Sequence, residues 1–508
     1  MRFAAIDVGS NSLHMVVAEQ RRDGALAVID RMKEMVRLGR GAFSSGRLSA
    51  DAMERATSTL ATFARLLRAK RVDRVRAVAT SAVREARNRG AFLERVRRET
   101  GLRLEVISGG EEAHLVFVAA RHAMGSNGEP ELLVDLGGGS LELILVRGGR
   151  ALWTRSFKLG AARLVERFLP TDPPARADIR LLRAHLAAEL DQPLARVRAA
   201  GVKRAVGTSS TVNGLVAMVQ AQMGAEPAGR LHGASVEADE IARLAQRLNA
   251  LPLADRALVP GIDTKRTDLM PAAATLVDFV LERAQISSLA ACTWALREGI
   301  LLKLAGLDAA ANDGSTRRRS VEAMGARFAG SNGHGRHVSR LSIRLFEALA
   351  PALGLPADSR ELLEYASLLH DIGHAIDHDA HHRHSYYLIR NGDLLGFDPE
   401  EVEIIAQTAW AHRFKSARFD DPELAVLRGS KRRLVRGLAA LLRLADALDR
   451  SHLAVVKNIK VTFSPGRLSI GIEARDNQAD LELWTCARKT RLLEELLNRR
   501  VTVHASTR

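Results

Sequence analysis

Ile6-Asp7-Val8-Gly9-Ser10-Asn11-Ser12 stands near the start of the chain, and Val134-Asp135-Leu136-Gly137-Gly138-Gly139-Ser140 answers it about one domain later. Each stretch reads as a short apolar strand with an aspartate near its end, followed by small residues that turn the backbone. Glycine reaches positive φ without strain and lets main-chain N–H groups come close to an anion. An aspartate at a strand end can hold a hydrated Mg²⁺ that neutralises the same anion. One such loop is a weak signal, because a glycine run is as often an ordinary tight turn. Two of them facing each other across a cleft would grip a phosphate chain from both sides. The expected fold is therefore a duplicated α/β architecture.

Outward from the loops, strands and helices alternate. Arg2 to Val8, Leu13 to Ala18 and Leu26 to Met32 read as strands, and helical periodicity runs from Ala52 to Leu67. Arg74 to Ala79 is a buried strand leading into Thr80-Ser81-Ala82-Val83-Arg84. A helix from Arg89 to Glu99 and a strand from Leu104 to Ile107 complete the first α/β domain. Asn127-Gly128-Glu129-Pro130 turns the chain into its second half. There Leu132 to Asp135, Leu141 to Val146 and Ala151 to Phe157 repeat the strand pattern about the loop. A helix from Ala177 to Ala199, a strand from Arg204 to Val206 and further helices extend to Leu304. Asp308 to Thr316 is small and polar and reads as a linker. Beyond it the chain is helical to about His452. Ile459 to Phe463 and Leu468 to Ala474 then flank Ser464-Pro465-Gly466, a hairpin by its turn chemistry, and Lys489 to Leu497 is a terminal helix. The expected domains are 1-126, 127-307, 317-453 and 454-508.

Composition narrows the partners. The 508 residues carry 75 Lys+Arg against 59 Asp+Glu, a net charge of +16 that favours a polyanion. Aromatic residues are only 4% of the chain, too few to furnish stacking platforms for single-stranded bases. Phosphate without bases suits this chain better than a specific nucleic acid. Cys292 and Cys486 make no disulfide framework and point to a reducing cytoplasm. No charged-then-apolar leader opens the sequence, and no apolar run reaches the ~18 residues of a membrane span. A cytoplasmic protein without membrane contact is expected.

Five motifs follow one another in order: Asp7-Val8-Gly9-Ser10-Asn11-Ser12, Ala79-Thr80-Ser81-Ala82-Val83-Arg84-Glu85-Ala86, Ile107-Ser108-Gly109-Gly110-Glu111-Glu112-Ala113, Asp135 to Glu142, and Leu296-Arg297-Glu298-Gly299. Together they closely resemble the exopolyphosphatase/guanosine pentaphosphate phosphohydrolase (Ppx/GppA) family, in its long form with a C-terminal HD-type domain. The likeness covers essentially the whole chain. It implies two actin-like (ASKHA, ribonuclease H-like) α/β domains with the active site in the cleft between them. An all-helical HD-like domain and a small α+β C-terminal domain would follow.

The chemistry implied is hydrolysis of a terminal phosphoanhydride, in which the protein positions a water in line and stabilises spreading negative charge. The resemblance places the catalytic base at Glu112. Glu111 is its neighbour and competitor, and an acidic pair favoured by the helix dipole is the plainer account of both. Asp135 and Glu142 are the candidates for Mg²⁺ (or Mn²⁺), directly or through water. Asp7, Gly9, Ser10, Asn11 and Ser12 on one side, with the amides of Gly137, Gly138, Gly139 and Ser140 on the other, would hold the terminal phosphate. Leu141 departs from the family, where threonine is usual, and so lacks one hydroxyl contact. Thr80, Ser81 and Arg84 open a helix in a way that suits a phosphate at its N-terminus; a capping arrangement is the alternative. Gly207, Thr208, Ser209 and Ser210 resemble the family's second-domain phosphate loop, with serines where glycine is common. Arg163 and Arg266 are candidates to guide the rest of a long chain, or else solvated arginines.

A second constellation lies in the helical region. His337, the pair His370-Asp371 and Asp446 match the HD-type metallophosphohydrolase signature, whose imidazoles and carboxylates converge on a divalent metal. His374, His384 and His412 are candidates for a second ion or a phosphate contact. The alternative is a regulatory module that extends a basic channel and a dimer interface, with 377–384 a solvated, pH-sensitive loop. The whole reading is a Mg²⁺-dependent enzyme that trims inorganic polyphosphate. Guanosine pentaphosphate (pppGpp, alongside ppGpp) is the alternative substrate, and a non-hydrolytic ATP-binding sensor the alternative class. Homodimerisation and K⁺ stimulation are expected from the resemblance only.

Overall fold

Strands β1 (Arg2–Val8), β2 (Leu13–Gln20), β3 (Leu26–Glu34), β4 (Arg74–Ala79) and β5 (Leu104–Val106) form a sheet in the order β3-β2-β1-β4-β5. β1 pairs antiparallel with β2 and parallel with β4. As the central strand it is covered on both faces, which is why Ala4, Ala5, Ile6 and Val8 make a nearly unbroken apolar run. The structure, a computed structural model, describes residues 1–21, 25–126, 128–224, 231–308, 316–329, 333–392, 394–413, 427, 429–475 and 478–506.

The second sheet repeats the first. Strands β6 (Glu131–Leu136), β7 (Leu141–Arg147), β8 (Arg150–Phe157), β9 (Arg204–Gly207), β10 (Ser235–Glu237) and β11 (Ser288–Ala291) run in the order β10-β11-β9-β6-β7-β8. Without the edge strand β10, both the order and the strand directions equal those of the first sheet. The β1–β2 turn and the β6–β7 turn therefore occupy equivalent positions, and these are the two glycine-bearing loops. Each sheet has its own apolar core, one drawn from residues between Ala4 and Val96, the other from residues between Leu132 and Ala291. The doubling expected from the paired loops is thus present in the strand order itself.

The chain divides into two compact units, 1–316 and 317–508. The second unit contains helices Gly333–Leu353, Ser359–Leu369, His381–Asn391, Pro399–Ala411 and Gly429–Ala447, followed by β12 (Val456–Ser464), β13 (Arg467–Ala474) and β14 (Arg500–Ala505). The β12–β13 hairpin closes around Pro465-Gly466 as its sequence indicates. β14 pairs parallel with β13, a long-range pairing no local pattern announces. Val456, Leu468, Ile470, Leu493 and Val501 share one apolar core with the helices. Apolar residues on both sides of the boundary expected at 453 therefore belong to one cluster. Asn127 of the expected turn, and 309–315 of the expected linker, lie outside the described residues.

Candidate active site

In the first unit a cavity of about 370 Å³ is walled by both loops, with Asp7, Glu112 and Asp135 on its surface. The loops have the same hydrogen-bonded turn: Gly9 N–H donates to Ser12 O at 3.2 Å, and Gly137 N–H to Ser140 O at 3.0 Å. They approach so closely that a Cβ on Gly139 would lie 2.5 Å from Ser81 Oγ and 2.8 Å from Ser10 Oγ. Behind the second loop, a Cβ on Gly160 would stand 2.2 Å from the main-chain nitrogen of Gly139. Close approach of main chain requires glycine at 160, whereas a Cβ at 139 would have to displace the side chains of Ser81, Phe43 and Ser10.

Glu112 is placed by its helix. Ser108 caps the helix Gly109–Met124, its Oγ accepting from Glu111 N–H at 3.1 Å, and the next residue, Glu112, turns inward. Glu111 turns the other way and pairs with Arg76 at 2.6 Å. Of the two neighbouring glutamates, only Glu112 reaches the cavity. Arg84 Nη1 donates to Glu112 Oε2 at 2.9 Å and also to Ile107 O at 2.9 Å, which fixes the carboxylate from behind. Burial raises the Glu112 pKa to about 7, against the pull of Arg84 and with a further push from Asp135 and Asp7.

Asp135 accepts from Thr208 Oγ1 at 2.9 Å, and burial raises its pKa. Asp7 is raised to about 6, chiefly by burial, against Arg297. Glu142 lies opposite Asp135 across the β6–β7 pair, with Oε1 accepting from Ser156 Oγ at 2.7 Å. Its pKa is pushed well up by burial, then by Glu112 and Asp135. Asp7, Glu112 and Asp135 thus share the cavity wall, with the fully buried Glu142 on the strand paired to that of Asp135; Asp7 itself is only half-buried. Asp7 Oδ1 and Glu142 Oε2 have no hydrogen-bond partner, which burial makes costly. A hydrated divalent cation answers both the repulsion and the orphaned oxygens, so the residues present fit Mg²⁺. Ions held through water suit this spacing: among the described residues, no cluster of three ligand atoms within 4.8 Å includes these carboxylates.

Raised carboxyl pKa values have a direct thermal consequence. The folded state holds protons that the unfolded chain has already released, so metal-free stability falls as pH rises from about 4.5 towards and past 7. Added Mg²⁺ should therefore raise the Tm clearly at pH 8 and hardly at pH 5. Asp135→Asn should abolish most of the pH 8 gain; an equal gain at both pH values would contradict this account of the carboxylates.

The remaining expected residues divide. Thr80, Ser81, Thr208, Ser209, Ser210 and Arg266 line the cavity with the two loops. Arg266 Nη1 donates to Thr211 Oγ1 at 3.0 Å. Gly207 and Glu142 do not reach the wall; Gly207 instead admits Val212, which a Cβ would meet at 2.3 Å. Ser81–Glu85 is a single helical turn, with Ser81 Oγ donating to Glu85 at 3.1 Å. Arg163 is no free guide for a chain: it donates to Gly139 O at 2.9 Å, pairs with Glu85 at 2.6 Å and stacks on Phe43. Leu141 is fully buried.

His14 and Arg297 are among the cavity residues that had no role in the sequence reading. His14 bonds Ser12 Oγ at 2.7 Å through Nε2 and Arg297 through Nδ1. Burial, then Arg297, Lys33 and Arg266, push its pKa down to about 2, so it stays neutral. Arg297 was visible as part of a motif, but its partner His14, 283 residues away in sequence, was not.

In the second unit, His370, Asp371 and Asp446 come together as expected, but the histidine beside them is His334. His337, one helical turn later, stands outside these clusters, with Nδ1 accepting from Arg340 at 2.6 Å. His374 and His412 join Asp371, and His381 takes the place expected of His384. Two histidines spaced i, i+3 on one helix were the available signal for His334.

Residues 16–307 match the model of the Ppx/GppA phosphatase family, and residues 316–486 that of Ppx/GppA phosphatase domain III. Among solved structures, an exopolyphosphatase from Cytophaga hutchinsonii is 28% identical, with a TM-score of 0.56 over 60% of this chain and 98% of that one. The Aquifex aeolicus member of the Ppx/GppA family is 29% identical, with a TM-score of 0.51 over 60% and 97%. No described helix is long and apolar enough to cross a membrane.

Proposed function

The chain belongs to the Ppx/GppA phosphatase family, hydrolases of phosphoanhydride bonds, and on that premise we propose that it releases terminal orthophosphate from inorganic polyphosphate. The position of Glu112 supports this reading most. It is a buried carboxylate at the cavity wall, oriented by Arg84 and raised to about 7, where a general base works best near neutral pH.

In this reading the terminal phosphate sits between the two loops, its oxygens held by main-chain N–H groups at 10–12 and 138–140, since those of Gly9 and Gly137 close the turns themselves. Glu112 takes a proton from a water lying in line with the bridging oxygen. As water oxygen bonds to phosphorus, the P–O bond to the chain breaks, and the shortened chain leaves as the anion. Arg266 neutralises charge beside the loops. Asp135 and Glu142, with Asp7 across the cleft, would hold Mg²⁺, which when bound offsets the charge spreading over the phosphate oxygens. The net charge of +16 favours a long polyanion over a single nucleotide.

Orthophosphate release from long-chain polyphosphate and from guanosine pentaphosphate, assayed side by side, tests the substrate. Faster turnover of polyphosphate is expected; the reverse ranking would move the reading to the nucleotide. ATP binding without orthophosphate from either substrate would leave a sensor. Thr208→Val removes the hydroxyl that orients Asp135 and should raise the Mg²⁺ concentration for half-maximal rate ~10–100-fold. An unchanged Mg²⁺ dependence would detach Asp135 from the metal.

A further inference from the structure

Ser12 closes the first loop with its main-chain oxygen, which accepts from Gly9 N–H at 3.2 Å, and it lines the cavity. Two groups meet its Oγ. His14 Nε2 lies 2.7 Å away and Arg266 Nη2 lies 3.5 Å away. Ser12, His14 and Arg266 are all buried. His14 belongs to β2, so the sheet that carries the loop also holds the imidazole. The other ring nitrogen, Nδ1, meets Arg297 Nη1 from the helix Leu296–Leu304.

These contacts decide where each proton lies. A guanidinium only donates, so His14 Nδ1 must accept from Arg297. A neutral imidazole has a single N–H, which is then at Nε2 and donates to Ser12 Oγ. Burial, together with Arg297, Lys33 and Arg266, keeps the ring neutral. Ser12 Oγ thus accepts from His14 and from Arg266, which occupies both of its lone-pair sites. Its own proton is left for a third group, and the cavity lies beside it.

We propose that His14 is a positioning residue, which makes Ser12 a hydrogen-bond donor to a phosphate oxygen in the cavity, with Arg297 setting the tautomer. The proposal rests on the reading of the cleft as a phosphate site, whichever of the two substrates fills it. Anionic phosphate oxygens only accept, and a freely turning hydroxyl would offer them its lone pairs as readily as its proton. The relay from Arg297 through His14 to Ser12 runs in one direction, and no proton changes owner. Ser12 is therefore set as a donor before the anion arrives, so no reorganisation is needed when charge spreads over the phosphate. An apolar side chain at position 14 would free the hydroxyl to turn and leave Arg297 without its acceptor.

The first test is nitrogen NMR on the full chain labelled at histidine, at pH 7 and without substrate. The His14 signals are identified among those of 16 histidines by their loss in His14→Gln. They should show the proton on Nε2; a proton on Nδ1, or an even mixture of tautomers, would overturn the proposal. The second test is a double-mutant cycle on kcat/KM for orthophosphate release. His14→Leu and Ser12→Ala should each lower it ~10–100-fold, as for a lost hydrogen bond to a charged group. In the Ser12→Ala background, His14→Leu should cost less than ~3-fold more, because its effect passes through Ser12. His14→Gln keeps an N–H that can donate to Ser12 and should recover part of the loss. Additive costs in an active chain would mean that His14 supports structure alone, and would overturn the proposal. Orthophosphate from neither substrate in the unchanged chain would instead overturn the cleft reading, and the proposal with it.

Discussion

Glu112→Gln is expected to lower orthophosphate release from polyphosphate by ~100-fold or more, with little change in KM, because it removes a general base and leaves substrate contacts in place. The amide oxygen can still accept from Arg84, which also keeps its 2.9 Å bond to Ile107 O, so the local structure should persist. Burial disfavours the charged form of Glu112, so at pH 8 the neutral amide should leave the Tm unchanged or raise it. Rate lost together with stability would mean that the carboxylate is structural. A parallel Glu111→Gln should be nearly silent, because Glu111 faces Arg76 rather than the cavity.

Gly160→Ala should be a severely damaging small change outside the cavity wall. The added methyl would stand 2.2 Å from Gly139 N, 2.3 Å from Gly139 C and 2.4 Å from Gly138 C. These are main-chain atoms, so no side chain can swing away, and the loop itself must move. Overpacking of this kind costs ~1–3 kcal/mol. Displacing a phosphate-holding loop by about an ångström costs ~10²-fold in rate. Orthophosphate release and thermal melting, measured on the same preparation, should both fall. Full activity would mean that the loop at 137–139 does not position the reacting phosphate.

The loops were legible because their chemistry is local. A strand, an aspartate and a run of small residues announce a turn that can meet an anion, and seeing the pattern twice announced the duplicated sheet. Glu112 came from the family resemblance rather than from local chemistry, and only the helix geometry separates it from Glu111. What escaped was long-range. Gly160 looks like any loop glycine until Gly139 is seen against it, and His14 reads as a strand residue until Arg297 arrives. The short strands β10, β11 and β14 draw their identity from pairing partners elsewhere in the chain. His334 was passed over for His337 because both face the same way along one helix, and only the folded positions of Asp371 and Asp446 choose between them.

A crystal structure of the Glu112→Gln chain with a short oligophosphate and Mg²⁺ tests the central claim most directly. The end phosphate should lie between the turns at 9–12 and 137–140, within hydrogen-bond reach of main-chain N–H groups from both, with residue 112 beside it. An end phosphate held elsewhere, with the space between those turns empty, would contradict the account.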